Sequence, residues 1–291
     1  MSKLKPSLTL PPPTVLVLIS IASTQLGSAF AKTIIQELGP TLTVLLRVGL
    51  SAIALLLLQR PQLKGYSRSS YLLLILFGLD LAAMNFSFYA AINRIPLGIA
   101  VTLEFIGPLG VACANSRRIL DVLWIFLAGV GIFLLAPITG SSLDPIGVAF
   151  ALLAGFFWGA YIILSARVGK VFTTVNGLAL MTAALIVGTL ALLPLGILSG
   201  SLLRLEPRYI ALGLAVAILS SAIPYTFELE ALKKLPVRVF GVLMSLEPAI
   251  ATLLGWIVLR EQLEFRAIVA VGLVTLASVG ASVLEKRQSG K

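Results

Sequence analysis

The side chains with the most chemistry to offer are acids set in apolar surroundings. Asp80, Glu104, Glu228, Glu230 and Glu247 fall inside long hydrophobic runs, whereas the bases inside such runs are Lys32 and Arg47. A charge at the centre of a bilayer costs at least about 2.5–3.5 kcal/mol on insertion scales, so it is expected to face a partner or a wet cavity. Acids outnumber bases here and cannot all be paired. Glu104 and Glu247 each stand beside a proline, Pro108 and Pro248. Neither proline has an N–H to give to the carbonyl four residues back, that of Glu104 and that of Met244. A freed carbonyl and a structural kink are expected in each helix, and such backbone is tolerated at membrane depth where it lines protein or water. A carboxylate at such a place can hold a substrate ammonium or carry a proton. Histidine is absent, which removes His-based triads, shuttles and metal sites and leaves proton traffic to carboxylates. The alternative for each glutamate is a structural acid that ties Arg47 or a backbone group between helices.

Other polar and aromatic side chains could complete a pocket. Asn85 and Tyr89 are four residues apart, hence on one helix face. Trp158 and Tyr161 are three apart, Tyr225 follows Pro224, Glu228 lies three beyond Tyr225, and Gln25 sits midway along the first apolar run. This set offers acceptors for an ammonium and donors for a carboxylate. The plainer reading of the aromatics is packing or an interfacial belt. Arg47 could meet a substrate carboxylate or pair with Glu37 or Glu104. Lys32, near a helix end, could snorkel outward. Glu230 precedes Lys234 by four, the favourable order for a helical pair. Neither a metal ion nor a cofactor is expected. Cys113 is the one cysteine, which excludes a disulfide scaffold, and it reads as inert packing. Gly155 and Gly159 form a small-residue pair suited to close helix packing inside a bundle, with a dimer contact as the alternative.

The elements that must position these groups are transmembrane helices. Of 291 residues, 58% are hydrophobic and 12% charged, about half the charge of a soluble domain. A helix needs about 20 apolar residues to cross the hydrocarbon. The runs fall at 14–35, 41–58, 70–92, 97–114, 121–138, 146–165, 175–198, 208–231, 237–259 and 265–284, which predicts ten spans. The runs are continuous, which excludes transmembrane strands. Lys3 and Lys5 before a stretch ending Ala29-Phe30-Ala31 also look like a secretory signal, but a retained first helix suits the repeat described next. With the N-terminus in the cytoplasm, 15 of the 22 basic residues lie on the cytoplasmic side, five (Arg94, Arg204, Arg208, Arg260, Arg266) lie opposite, and Lys32 and Arg47 lie in spans. That bias places both termini in the cytoplasm. It also accounts for the net charge of +10 without nucleic acid.

The chain carries an internal repeat. At an offset of 140, Ile95-Pro96 matches Leu235-Pro236 and Pro108 matches Pro248; at 132, Leu26-Gly27 matches Trp158-Gly159. Glu104 and Glu247 are not equivalent positions, since Glu104 aligns with Met244. Two units follow, 1–138 and 139–291, each of five helices. Five is odd, so the second enters the membrane inverted. Inverted repeats recur in transporters, with the substrate near the midplane between them. The expected fold is therefore an all-α membrane protein of ten transmembrane helices in two inverted five-helix repeats.

Several stretches carry a family resemblance: Met84-Asn85-Phe86 with Phe88-Tyr89, Pro96 to Val101 with Leu103-Glu104-Phe105 and Gly107-Pro108, Ser116-Arg117-Arg118, Leu214 to Ser220, and Met244 to Ala249. The chain resembles the drug/metabolite transporter superfamily in its EamA-type branch, and within it the bacterial threonine/homoserine exporters. Asp80 and Glu230 depart from that pattern, so neither takes a family role. The resemblance implies an inner-membrane exporter of small amino acids, threonine and homoserine foremost, that works by alternating access. It implies a cavity lined by the first, third, fourth, sixth, eighth and ninth spans, with the last helix of each repeat peripheral. Proton exchange is the expected drive, and a monomer or weak homodimer the expected state in the lipid bilayer. One alternative is the same fold with another cargo: other amino acids, drugs or a lipid-linked sugar. An intramembrane enzyme is more distant. It would have no histidine, and an aspartyl type needs two apposed acids, whereas Asp80 is the one aspartate within a span.

Overall fold

A computed structural model of the chain describes residues 11–114, 119–135, 143–232, 234–235, 240 and 243–284. Lys3, Lys5, Arg117, Arg118 and Pro236 lie outside these residues, and so does the side chain of Cys113. The described residues are helical, with no strand among them. Apolar helices follow in order: α1 (Pro13–Leu58), α2 (Arg68–Ile92), α3 (Leu97–Glu104), α4 (Ile106–Ala114), α5 (Ile119–Leu135), α6 (Pro145–Val171), α7 (Gly177–Leu198), α8 (Pro207–Ala217), a π turn (Ile218–Ala222), α9 (Ile223–Leu232), α10 (Glu247–Leu259) and α11 (Phe265–Leu284). Among the described residues, five stretches are long and apolar enough to cross a membrane: α1, α2, α6, α7 and the composite Pro207–Glu228.

Local chemistry sets several starts. Ser67 caps α2 by accepting from the Ser70 N–H. Asn176 accepts from the Leu178 N–H at the head of α7. Asp144 accepts from the Ile146 and Gly147 N–H groups at the head of α6, with Pro145 in the first turn. These side chains satisfy donors that a helix start leaves open, and proline is favoured there. Arg94 beside Asp144 and the two capping N–H groups hold the Asp144 carboxyl below its usual range.

α1 is two helical legs, not one straight rod. Forty-six residues would make a straight helix about 69 Å long at 1.5 Å per residue, over twice the roughly 30 Å hydrocarbon thickness. Gly39, at φ 75° and ψ 163° followed by Pro40, breaks the run. Positive φ is open to glycine at no steric cost. Gly27 abuts Ser220 from before the break, and Arg47 donates to the Ser220 carbonyl from after it. Two residues on either side of Gly39 thus reach one level, so the chain turns back.

The bundle has two ends. At one, Glu37 pairs with Arg208 at 3.5 Å, Arg94 with Asp144 at 2.8 Å and Lys32 with Glu261 at 2.6 Å. At the other, Tyr66 meets Thr174 at 2.7 Å and tilts on Phe172. The first half of α1 packs on the π turn through Gly27 and Ser23, whose Oγ donates to Leu219 O at 2.7 Å. The second half packs on α7 through Gly49 and Thr189. α2 lies on α6, where Phe77 stacks on Tyr161. α5 and α11 meet through Gly131, Ala270 and Val274.

The ninth span departs from expectation, while the fourth, the eighth and the Gly155/Gly159 pair take definite form. The fourth span breaks at Phe105 into α3 and α4, one turn ahead of Pro108, whose ring opposes the preceding turn. The ninth is not a helix kinked at Pro248: Ser245 and Leu246 form a turn, and α10 starts at Glu247 with proline in its first turn. The eighth contains the π turn. Gly155 and Gly159 are used inside the chain, because Gly155 meets the Glu104 and Gly107 backbones and Gly159 lies 3.4 Å from the Gly107 carbonyl by its would-be Cβ.

A Cβ on Gly107 would overlap the Gly155 carbonyl, backbone against backbone, while one on Gly110 would meet nothing within 4 Å. Gly107→Ala is expected to lower stability by about 1–3 kcal/mol and Gly110→Ala to raise it by roughly 0.5–1 kcal/mol. Thermal unfolding of both variants in detergent checks this. An unchanged midpoint for Gly107→Ala contradicts the contact.

Candidate functional site

A small cavity of about 150 Å³ lies where the helices converge. The first half of α1 contributes Thr24, Gln25 and Ser28, and the second half Arg47. Met84, Asn85 and Phe88 come from α2, Glu104 from α3, Trp158 and Tyr161 from α6, and Ser220 from the π turn. Pro224, Tyr225 and Glu228 come from α9, and Met244 and Glu247 from the turn into α10. The wall thus includes three carboxylates, Glu104, Glu228 and Glu247, and one guanidinium, Arg47.

Each acid is held differently. Glu104 ends α3, just before the break at Phe105, and Phe105 sets its ring edge-on to Trp158 at 5.1 Å. Glu247 opens α10, where a helix start favours negative charge. Glu228 accepts from Ser20 Oγ at 2.5 Å. Charge on Glu104 and Glu228 acts on Glu247 across the cavity. Like charges so placed repel, so a cation between them, or protons on them, would relieve all three. Asn85 spends one N–H on the Leu81 carbonyl at 2.8 Å. Gln25 Oε1 and Ser220 Oγ are buried without a hydrogen-bond partner.

Glu104, Glu247, Asn85, Trp158, Tyr225, Glu228 and Gln25 are therefore brought together, and Tyr89 is not on the wall. Tyr89 is fully buried one layer behind, with its ring 5.3 Å from Arg47 Cζ. Asn85 and Tyr89 share a helix face, but their ring and amide serve different layers. Pro108 and Pro248 set the breaks that present the two glutamates. Arg47 pairs with neither Glu37 nor Glu104: Glu37 is taken by Arg208, and Tyr209 donates to it. Thr24, Ser28, Ser220 and Met244 were not expected on the wall. Thr24 and Ser28 are four apart and flank Gln25, which was a legible helical stripe. Asp80 is buried with Oδ2 unpartnered and lies off the cavity wall; nothing in the structure explains it.

A larger groove of about 850 Å³ opens between α10 and α11, lined by residues such as Leu253, Trp256, Ile268 and Leu276. Those four are more than half exposed, so the groove faces outward. Its polar lining is Thr252, Glu261, Gln262 and Thr275, and Glu261 is already paired with Lys32.

Lys32 does not snorkel. Its Nζ donates to Glu261 Oε1 at 2.6 Å and to the Ile95 carbonyl at 2.8 Å. Glu261 in turn accepts from the Leu97 N–H at the start of α3. Lys32 is one turn beyond Ser28 on α1, and Leu97 is seven residues, roughly 10 Å, from Glu104. The clasp therefore ties α1, α3 and the α10–α11 connection just above the cavity, at the end where Glu37, Arg94 and Asp144 also lie. Lys32→Met is expected to cost about 1.5–3 kcal/mol. Lys32→Met with Glu261→Gln is expected to cost less than the two singles summed, by at least about 0.5 kcal/mol. Unfolding midpoints over that cycle measure the coupling; strict additivity would remove the clasp.

Residues 145–283 match the EamA-like transporter family. The threonine/homoserine exporter RhtA of Escherichia coli (strain K12) is 38% identical over 279 residues, covering 95% of this chain and 93% of that one. RhtA of Salmonella typhimurium (strain LT2) is 37% identical over 278 residues, with the same coverage. A crystal structure of a protein 20% identical superposes with a TM-score of 0.60, over 96% of this chain and 98% of that chain, and so shares the fold. The resemblance seen in the Leu-Glu-Phe and Leu-Glu-Pro segments is borne out: the chain is a multi-pass membrane protein and belongs to the EamA-like transporter family.

Proposed function

We propose that the chain exports small amino acids, threonine and homoserine among them, by alternating access in a bacterial inner membrane, with both termini cytoplasmic. The observation that carries this reading is the central cavity: about 150 Å³, walled by three carboxylates, an amide and an arginine. Sites for drug-sized ligands run to about 300–1,000 Å³ and are mostly apolar. A drug or a lipid-linked sugar would not fit. The relatives that match nearly the whole chain are named threonine/homoserine exporters.

The chain reads as ten spans in two inverted repeats, 1–138 and 139–291. Pairwise packing supports this. The first half of α1 lies on the π turn and α9 as α6 lies on α2, the second half of α1 lies on α7, and α5 lies on α11. Each pairing survives exchange of the two halves, as a two-fold relation between inverted repeats requires. The cavity draws on both halves, so rocking one against the other would expose it to either side in turn. The Lys32–Glu261 clasp is then a contact that must open on one side. One chain encloses the whole cavity, so a monomer suffices. Proton exchange is the drive: the cavity acids are the groups that can trade an ammonium for a proton.

Proteoliposomes test this. Wild-type protein is expected to release labelled threonine and homoserine faster when a pH gradient is imposed. Glu104→Gln and Glu247→Gln are each expected to lower flux about tenfold or more, the equivalent of one charge-assisted contact, and to blunt the response to the gradient. Absence of threonine and homoserine flux would refute the substrate; flux indifferent to pH and to both substitutions would refute the coupling.

A further inference from the structure

Arg47 is the one basic side chain on the cavity wall. It is 8% exposed. A guanidinium carries five N–H donors, yet among the described residues one hydrogen bond is formed, from Nη2 to the Ser220 carbonyl at 3.3 Å. That is longer than the usual charge-assisted bond. The carbonyl is open to it because Pro224, four residues on, has no N–H. The Tyr89 ring beneath supplies a π face, and its hydroxyl offers at most one neutral acceptor. Among the described residues Arg47 forms no ion pair. Glu104 acts on it electrostatically without touching it. A buried cation left so poorly satisfied is costly, and arginine's planar fork matches a carboxylate in two parallel hydrogen bonds.

Ser220 Oγ, next to the carbonyl that Arg47 grips, is buried and without a partner, and a hydroxyl can donate to an anion. Glu104, Glu228 and Glu247 hold the other parts of the wall. Positive and negative groups thus stand around a volume of about 150 Å³, which is the charge pattern of a small zwitterion turned inside out.

We propose that Arg47 anchors the carboxylate of the substrate, with the Ser220 hydroxyl beside it, so that the site admits molecules carrying a carboxylate and an ammonium together. The ammonium then falls among the three glutamates. This rests on the amino-acid reading above and adds which end of the molecule is recognised by which residue.

The test is ligand-induced thermal stabilisation of the full chain in detergent, converted to affinity through the dependence of the midpoint on ligand concentration. The probes are L-threonine, threonine methyl ester and threoninamide, at about pH 6, where each ammonium is protonated. Wild-type protein is expected to bind threonine about 10- to 100-fold more tightly than the ester or the amide, as the loss of a charge-assisted pair implies. Arg47→Gln is expected to lose that preference, binding all three probes weakly and alike. Arg47→Lys, which keeps the charge without the fork, is expected to restore part of it. Equal binding of threonine and its ester by the wild type overturns the anchor whether or not the variants fold. An intact preference in Arg47→Gln also overturns it, while leaving the amino-acid reading in place. If the wild type binds neither threonine nor homoserine, both fall.

Discussion

Charge in hydrocarbon has to be answered, and this requirement organises the rest of the molecule. Three carboxylates and one guanidinium are brought to a single cavity instead of being scattered or paired off. Each would be costly alone at mid-membrane. Gathered around a small polar space, they can be answered by water, by protons or by a ligand with both signs of charge. Among the described residues, Lys32, Arg94 and Arg208 find Glu261, Asp144 and Glu37 at one end of the bundle. The cavity is thus left electrostatically open while its rim is tied.

The backbone is shaped to permit this. Charged groups reach the centre from helix breaks: Glu104 ends α3, Glu247 begins α10, and Arg47 meets a carbonyl released by Pro224 beside the π turn. Prolines create the breaks and glycines absorb them. Gly107, Gly155 and Gly159 let α4 and α6 touch backbone to backbone behind Glu104, and Gly27 lets α1 close on Ser220. A Cβ on Gly107 or Gly155 would run into a backbone carbonyl of the facing helix and hold the two apart. Small residues are therefore part of how a site of this size is made, not merely helix-packing convenience.

Much of the site was legible because membranes make polar residues conspicuous. Glu104, Glu228, Glu247, Gln25 and Asn85 stood out against apolar runs, and prolines beside two of the acids marked irregular backbone. The less legible features depend on distant partners or on local geometry. Lys32 read as a snorkelling residue because Glu261, 229 residues away, gives no local signal. Tyr89 shares a face with Asn85 but lies behind the cavity, since helical spacing fixes a direction and not a depth. The π turn leaves no pattern of its own beyond Pro224 and paired serines. Pro248 was read as a mid-helix kink, whereas the chain restarts a helix there. Proline permits either outcome, and spacing alone does not choose.

The most direct measurement is an experimental structure of the protein with homoserine bound. The account predicts ligand density in the central cavity, its carboxylate on Arg47 and its ammonium among Glu104, Glu228 and Glu247. Density in the apolar groove between α10 and α11, or in the cavity with the carboxylate turned away from Arg47, would contradict it.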